Sequence, residues 1–407
     1  MTEISAIGRT HDSGAPRSFA ESADFGYRIN EVRQLARRVV ANGGTPLSPG
    51  ERAALLRRLP AGPVYLLGSS TVFARDFAEF VGPRFAVRAV VDDFASEPTI
   101  HGVSRIDSAR FSREANGGIA ICLSFSHQGW LYFRRLAREA GATFVDYMDI
   151  VDAIPGFPCH PLLSGLASVT ASSIERLLSA LPRFADELSW HTFLSILAGR
   201  LTYDRTWLEA VNIGPAQMYF GPEFISLGAT ETLVDCGAYT GDTIATFRAA
   251  VADRFDHIYA FEPDPANFQA LVSAYGNDGR IVLLNRGVGS ELGSRGFVEG
   301  GGSFSHTLGR DSKEQSPQGP TVALTTLDAS IPKATMIKID VEGDEPGVLA
   351  GATETIRRDK PRLAVAAYHA PAHLAELVEQ ISNLQCGYRF YLRHHGGFFL
   401  ETVLYAV

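Results

Sequence analysis

Cysteine is scarce and scattered. Cys122, Cys159, Cys236 and Cys386 are the only four in 407 residues, with no CxxC and no metal-finger spacing among them. That excludes a disulfide framework and a zinc finger, and it reads as reduced thiols in a cytoplasmic chain. Long hydrophobic runs are missing too. The most apolar stretch, 188–201, is interrupted by Ser189, His191, Ser195 and Arg200, so no membrane span is expected. The first twenty residues are polar, with Gly, Pro and Ser among them, and lack the apolar segment of a secretion signal. A basic excess is also absent. The 45 acidic and 37 basic residues leave a net charge of −8, which argues against a chain built to grip nucleic acid. Lysine is rare, occurring only at Lys313, Lys333, Lys338 and Lys360.

What is present is an ordinary globular composition, 45% hydrophobic and 20% charged, enough to bury a core. At roughly 100–200 residues per domain, the length suggests two or three domains. Residues 1–60 read as a polar tail and two helices. Over 61–150, apolar runs at 64–68, 85–91, 118–124 and 143–146 alternate with helical patterns at 71–81 and 131–140. That is the signature of a small, parallel, Rossmann-like sheet. Residues 151–225 are mostly helical and read as a connector. Over 226–407 a second α/β series begins, with strands expected at 232–236, 257–261, 281–285, 336–340, 362–368, 388–392 and 402–407. Two consecutive strands at the end predict a seven-stranded sheet whose last strand is antiparallel. The Gly- and Ser-rich stretch 293–320 reads as an insertion.

The most informative segment is Asp235-Cys236-Gly237-Ala238-Tyr239-Thr240-Gly241-Asp242-Thr243. An apolar strand ends in an acid, and a glycine-spaced turn then opens a helix. Gly237 and Gly241 let the backbone bend and approach a ligand. Glu262, 27 positions after Asp235 and at the end of the next strand, can hold both hydroxyls of a ribose. Asp264 follows closely. A dinucleotide turn would surround a pyrophosphate with amides, whereas the acids Asp235 and Asp242 suit a ligand carrying an ammonium and a sulfonium. S-adenosyl-L-methionine has that charge pattern.

Over about 218–407 the chain resembles the FkbM-type methyltransferases. The resemblance rests on Tyr219-Phe220, the Asp235–Thr243 segment, Phe261-Glu262-Pro263, Leu327-Asp328 and the run from Ile337 through Lys338, Asp340, Glu342 and Glu345 with Leu349 and Gly351. It continues in Tyr368-His369 and in the stretch from Tyr388 to His395. It implies a Rossmann-like methyltransferase domain and S-adenosylmethionine-dependent O-methylation of a small-molecule or glycan acceptor with a free hydroxyl.

The residues make a parallel case. Asp340 and Glu342 end the fourth strand, and Tyr368 and His369 end the fifth. Such ends border the ligand crevice of an open α/β sheet. His369 is the preferred base for an unactivated hydroxyl. A divalent cation such as Mg²⁺, held by Asp340, Glu342 (or Asp344) and His369, is the competing device. Glu345 reads as a helix-capping acid. Lys338 either pairs with an acid or faces the site. Ser303, Ser305 and His306 are candidates for an acceptor-side loop. His394 and His395 either line the acceptor pocket or sit on a solvated turn before Gly396-Gly397. The first series keeps one glycine of a dinucleotide turn, Gly68, with Asp92-Asp93 after its second strand. It reads as a sugar-nucleotide site or as a scaffold. Alternatives for the whole chain are a non-catalytic nucleoside- or sugar-nucleotide-binding protein and a nicotinamide-dependent oxidoreductase. Assembly into a homo-oligomer is left open.

Overall fold

Apolar strands buried on both faces need cover on both sides, and this chain supplies it twice. In the computed structural model, described for residues 23–69, 80, 84–100, 102–154, 157, 163–296 and 321–407, two mainly parallel sheets are flanked by helices. The N-terminal sheet contains β1 (Val64–Leu67), β2 (Val87–Val91), β3 (Thr99–Ile100), β4 (Val103–Ile106), β5 (Ile119–Cys122) and β6 (Thr143–Asp146), in the order β3-β4-β2-β1-β5-β6. Only the β3–β4 pair is antiparallel. The chain runs outward from β1 through β2, then returns to β5 on the other side. The strand order therefore reverses between β1 and β5. Most of the helix expected at 71–81 lies outside the described residues.

The connector is helical, and its centre is the helix Glu187–Thr202, buried along most of its length. A helix apolar all round belongs inside a protein. It packs on the helix Ala23–Ala41 and on a strand of the second sheet. None of the described helices is long and apolar enough to cross a membrane.

The second sheet contains β7 (Thr232–Cys236), β8 (His257–Phe261), β9 (Ile281–Leu284), β13 (Met336–Ile339), β14 (Arg362–Ala366), β15 (Phe390–His394) and β16 (Thr402–Ala406). Their order is β15-β16-β14-β13-β7-β8-β9, and β16 runs antiparallel to both of its neighbours. This is the expected seven-stranded α/β sheet with an antiparallel last strand. A side sheet of β10 (Gly287–Val288), β11 (Gly293–Gly296) and β12 (Thr321–Thr325) leads into β13. It flanks the expected insertion, of which 297–320, including Ser303, Ser305 and His306, falls outside the described residues. Strand β15 begins two residues later than expected and carries His394 into the sheet. All five of its residues are buried, so no alternation of polar and apolar side chains marks its bounds.

At the centre of this sheet Lys338 of β13 lies opposite Asp235 of β7. Its Nζ is 3.2 Å from Asp235 Oδ1 and donates to Gly237 O at 2.7 Å. Both side chains are buried. Burial opposes the Lys338 charge, but Asp235 and Asp340 outweigh it and hold the ammonium above the ordinary lysine value. Burial pushes the Asp235 carboxyl up to about 6, against the pull of Lys338. Removing one partner leaves a buried charge uncompensated. Lys338→Met should therefore cost about 3–5 kcal/mol in urea denaturation. Lys338→Met combined with Asp235→Asn should recover at least half of that, and a double variant no more stable than the single one would refute the pairing.

Candidate active site

The reversal of strand order in the second sheet falls between β7 and β13, and a cavity of about 390 Å³ opens there. Its first wall is the turn after β7. Gly237 (φ 82°) and Gly241 (φ 97°) take left-handed backbone conformations. A Cβ at Gly237 would collide with the Asp340 carbonyl oxygen, and one at Gly241 with the Tyr275 ring. The turn thus lies tight against the end of β13 and against the helix Pro265–Tyr275. The amides of Gly237 and Ala238 both donate to Phe261 O at 3.0 Å, which joins the turn to the end of β8.

Glu262 follows β8 and is held by two backbone amides, Tyr239 N and Asp264 N, each at 2.8 Å. Burial pushes its carboxyl up to about 7, although the two amides oppose that rise. Five of the proposed cofactor residues, Gly237, Tyr239, Asp242, Thr243 and Glu262, line the cavity. Four do not. Asp235 is buried behind the wall against Lys338, while Ala238 packs in the core. Gly241 backs onto Tyr275. Asp264 caps the helix Pro265–Tyr275 by accepting from Ala266 N and Asn267 N.

The second wall brings together Asp340, Glu342, Tyr368 and His369. Asp340 accepts hydrogen bonds from Tyr219 Oη (2.9 Å) and Tyr368 Oη (3.1 Å). Burial and the neighbouring carboxylate hold both phenols well above their ordinary pKa, so they stay neutral donors. His369 is almost enclosed. Its Nδ1 lies 2.8 Å from Glu345 Oε1, and its Nε2 lies 3.4 Å from Glu342 Oε2 and 3.6 Å from Asp340 Oδ1. Burial disfavours its charge, but Glu345, Glu342 and Asp340 outweigh burial and raise its pKa well above 6.5.

Glu345 opens the helix Glu345–Ala350, as an acid at a helix N-terminus, but it is fully buried. It accepts from Val341 N (3.0 Å), Gly343 N (3.2 Å) and the His369 ring. Its carboxyl is pulled down to about 2, as His369 and His373 overcome the burial that would raise it. The Glu342-Gly343 turn, with φ of 56° and 111°, folds the first residue of the next helix back over the loop. The final Glu of the Asp340–Glu345 run is the signal the sequence offers for it. Ligand atoms from Asp340, Glu345 and His369 lie within 4.8 Å of one another. The sequence pattern points to Glu342 in place of Glu345 for a cation.

His394 and His395 are neither pocket walls nor a solvated turn. Both are buried. His394 bonds Thr402 Oγ1 at 3.0 Å, and His395 lies between Gly214 O (3.1 Å) and Tyr405 Oη (3.0 Å). Burial lowers them to about 3 and about 4, so both are neutral.

Sequence reasoning assigns no site role to Tyr219, Arg295, Leu400 and Glu401, yet all four line the cavity. Arg295 pairs with Asp344 at 3.1 Å at its edge. Four of the non-glycine residues with positive φ, Tyr219, Tyr239, Glu342 and Glu401, line this one cavity. Backbone strain held in place by its surroundings tends to gather at functional sites.

A crystal structure of a methyltransferase FkbM from Methylobacillus flagellatus KT is 23% identical to this chain. It covers 94% of this chain and 100% of that one at a TM-score of 0.75, a likeness of fold. Aeropyrum pernix fibrillarin, solved with natively bound S-adenosyl-L-methionine, is 14% identical over 45% of this chain and 70% of its own, with a TM-score of 0.28. The precorrin-6y C5,15-methyltransferase of Geobacter metallireducens GS-15 is 13% identical over 44% of this chain and 80% of its own, with a TM-score of 0.27. Both are too different in shape to bear on this chain. No curated protein matches the chain significantly. The profile of the methyltransferase FkbM domain matches residues 235–390, a span that runs from the Asp235 turn through Glu262, Asp340, Glu345 and His369 to the start of β15. Over those residues the chain is similar to the methyltransferase FkbM domain.

Proposed function

We propose that the chain is an S-adenosylmethionine-dependent O-methyltransferase acting on a hydroxyl of a sugar, glycan or other natural product. The observation that carries this reading is one cavity with two unlike walls. A buried carboxylate, Glu262, stands on one side, and a carboxylate-caged imidazole, His369, on the other. The donor set suits the cofactor. Glu262 can accept from a ribose diol, Phe261 and Pro263 offer apolar surface to a base, and Asp242 and Asp340 suit cationic groups. A volume near 390 Å³ is in the range of small-ligand sites. When bound, S-adenosylmethionine supplies an electrophilic methyl group on a sulfonium.

The chain's own task is to bind the acceptor and take its proton. In this reading Nε2 of His369 accepts the hydroxyl proton, and Asp340 and Glu342 stabilise the resulting imidazolium. Glu345 holds Nδ1 and so fixes both ring orientation and tautomer. Tyr219 and Tyr368 keep Asp340 in place. A nicotinamide-dependent reaction finds less support, since Gly68 is the one glycine of the dinucleotide pattern in the first series. A non-catalytic role would leave the His369 cage without a purpose.

Glu262→Ala should weaken S-adenosylhomocysteine binding by roughly 10- to 100-fold in isothermal titration, the loss of one or two hydrogen bonds to a charged group. Because the Glu262 carboxyl titrates near about 7, wild-type affinity should fall as the pH drops through that value. A pH-independent affinity equal to that of the variant would reject the assignment.

His369→Ala should lose about 10²–10⁴-fold in turnover while keeping cofactor affinity. A base must be unprotonated. With a histidine raised above 6.5, kcat/KM should climb with pH to a midpoint above that value. Glu345→Gln removes the main group that raises it, so the midpoint should move down. A midpoint unmoved by Glu345→Gln would count against His369 as the base.

A divalent cation is the second reading, favoured by the close approach of Asp340, Glu345 and His369. All three hydrogen bonds to Glu345 fall on Oε1, while Oε2 has no hydrogen-bond partner, so Oε2 is the atom with room for a cation. Turnover is expected to survive exhaustive EDTA treatment. Loss of activity that Mg²⁺ restores would establish the metal reading instead.

A further inference from the structure

The N-terminal sheet has its own reversal of strand order, between β1 and β5. In an open α/β sheet that is where a ligand would bind, outside the carboxyl ends of the strands. On the β5 side the place is taken. The loop between β15 and β16, residues 395–401, reaches across from the second sheet. Phe398 stacks on Phe125, just beyond β5, with ring centroids 4.4 Å apart and an interplanar angle of 18°. Gly397 lies so close to the first residue of the helix His127–Glu139 that a Cβ would collide with the His127 backbone.

Arg205, fully buried in the connector, bolts the junction. It is 2.9 Å from Asp146 at the end of β6, donates to Ser124 O at 2.8 Å, and sits 4.5 Å from the Phe398 ring centroid. Trp130 donates to the same Asp146 at 2.8 Å.

The far end of this loop reaches the cavity of the other half. Leu400 and Glu401 line it. Glu401 has φ 62°, and its carbonyl accepts from His395 N at 2.9 Å. Gly396 leaves room for its carboxylate, since a Cβ there would strike Glu401 Oε2. Ala367 N donates to Thr402 O at 2.8 Å, which sets Glu401 beside Tyr368 and His369. Each glycine of the pair therefore has its own use. Gly397 admits the N-terminal half, and Gly396 admits the carboxylate facing the cavity.

We propose that the N-terminal α/β unit is a clamp: it holds the 395–401 loop against the β5 side of its own strand reversal and thereby fixes Leu400 and Glu401 as a wall of the acceptor pocket. Phe398 and Arg205 are positioning residues in this scheme. The acceptor role of that wall rests on the methyltransferase reading above, whereas the clamp itself does not.

The full chain provides the test. Phe398→Ala removes the stacked ring, and hydrogen–deuterium exchange is followed on peptides covering 396–401 with no ligand present. Exchange there should rise about tenfold or more, as for a segment released to local opening. Gly397→Ala, which pushes the loop away from the helix His127–Glu139, should produce the same rise. Phe398→Tyr, which keeps the stack, should exchange like wild type. In all three, S-adenosylhomocysteine affinity should stay within about twofold, because Phe398 and Gly397 do not line the cavity. Wild-type exchange in both Phe398→Ala and Gly397→Ala overturns the clamp. Binding of NADH or UDP-glucose by the wild-type chain that Phe398→Ala leaves unchanged, read by titration, supports the clamp, since the crevice is then not the binding place. Binding that Phe398→Ala strengthens several-fold supports it too, through competition with the loop. Binding that Phe398→Ala abolishes overturns it. Failure of the wild type to bind S-adenosylhomocysteine would remove the cofactor reading and leave the exchange result to judge the clamp alone.

Discussion

The buried pair between Lys338 and Asp235 is the constraint on which the rest of the site depends. It joins the two central strands where the strand order reverses, at directly opposed register positions. Two ionised groups out of water are costly unless paired and bonded. Lys338 meets that demand by reaching past Asp235 to the Gly237 carbonyl. The same ammonium therefore ties down the glycine turn of β7. Two residues beyond Lys338, just past the end of β13, stands Asp340, whose carbonyl would clash with any side chain at Gly237. The two walls of the cavity are thus set relative to each other by one cation and one missing Cβ.

The acids of the chain have a more specific use than solubility. Around His369 three carboxylates, Glu345, Glu342 and Asp340, surround one imidazole. They differ in environment. Glu345 is sealed inside, its Oε1 accepting from two backbone amides and the His369 ring, so it orients the ring. Asp340 and Glu342 remain at the cavity surface, where they can meet a ligand. Unlike settings for like groups are how a single fold assigns distinct tasks to several carboxylates.

Much of this arrangement is legible in the order of the amino acids. Glycine turns and strand-end acids carry a local signal. Accordingly Gly237, Tyr239, Glu262, Asp340, Glu342, Tyr368 and His369 all stand out in the sequence, and all meet in one cavity. What stays hidden depends on burial or on distant contacts. A glutamate in the first turn of a helix looks like a cap whether it points to water or inward, so the pattern does not show that Glu345 is buried. A strand buried on both faces lacks alternation, so His394 and His395 look like turn residues although they are buried. Glu401 gives no signal because its distinguishing feature is a backbone angle. Lys338 admits two readings, and both hold in part, since it pairs with Asp235 and also borders the cavity.

The two α/β halves pose a broader question about why one chain should contain two crevices of the same kind. In the second sheet the place of strand reversal is open and lined with acids. In the first it is filled, on the β5 side, by aromatic rings and a buried arginine. A loop such as 395–401, lying between two strands at the sheet edge, has few local contacts to order it. Its left-handed Glu401 costs of order 1–3 kcal/mol and persists only where the surroundings impose that conformation. Phe125 and His127 of the other half and Arg205 of the connector hold the loop at Phe398 and Gly397. A crevice that elsewhere would hold a ligand here holds a piece of its own chain, and the rigidity gained appears at the wall facing His369.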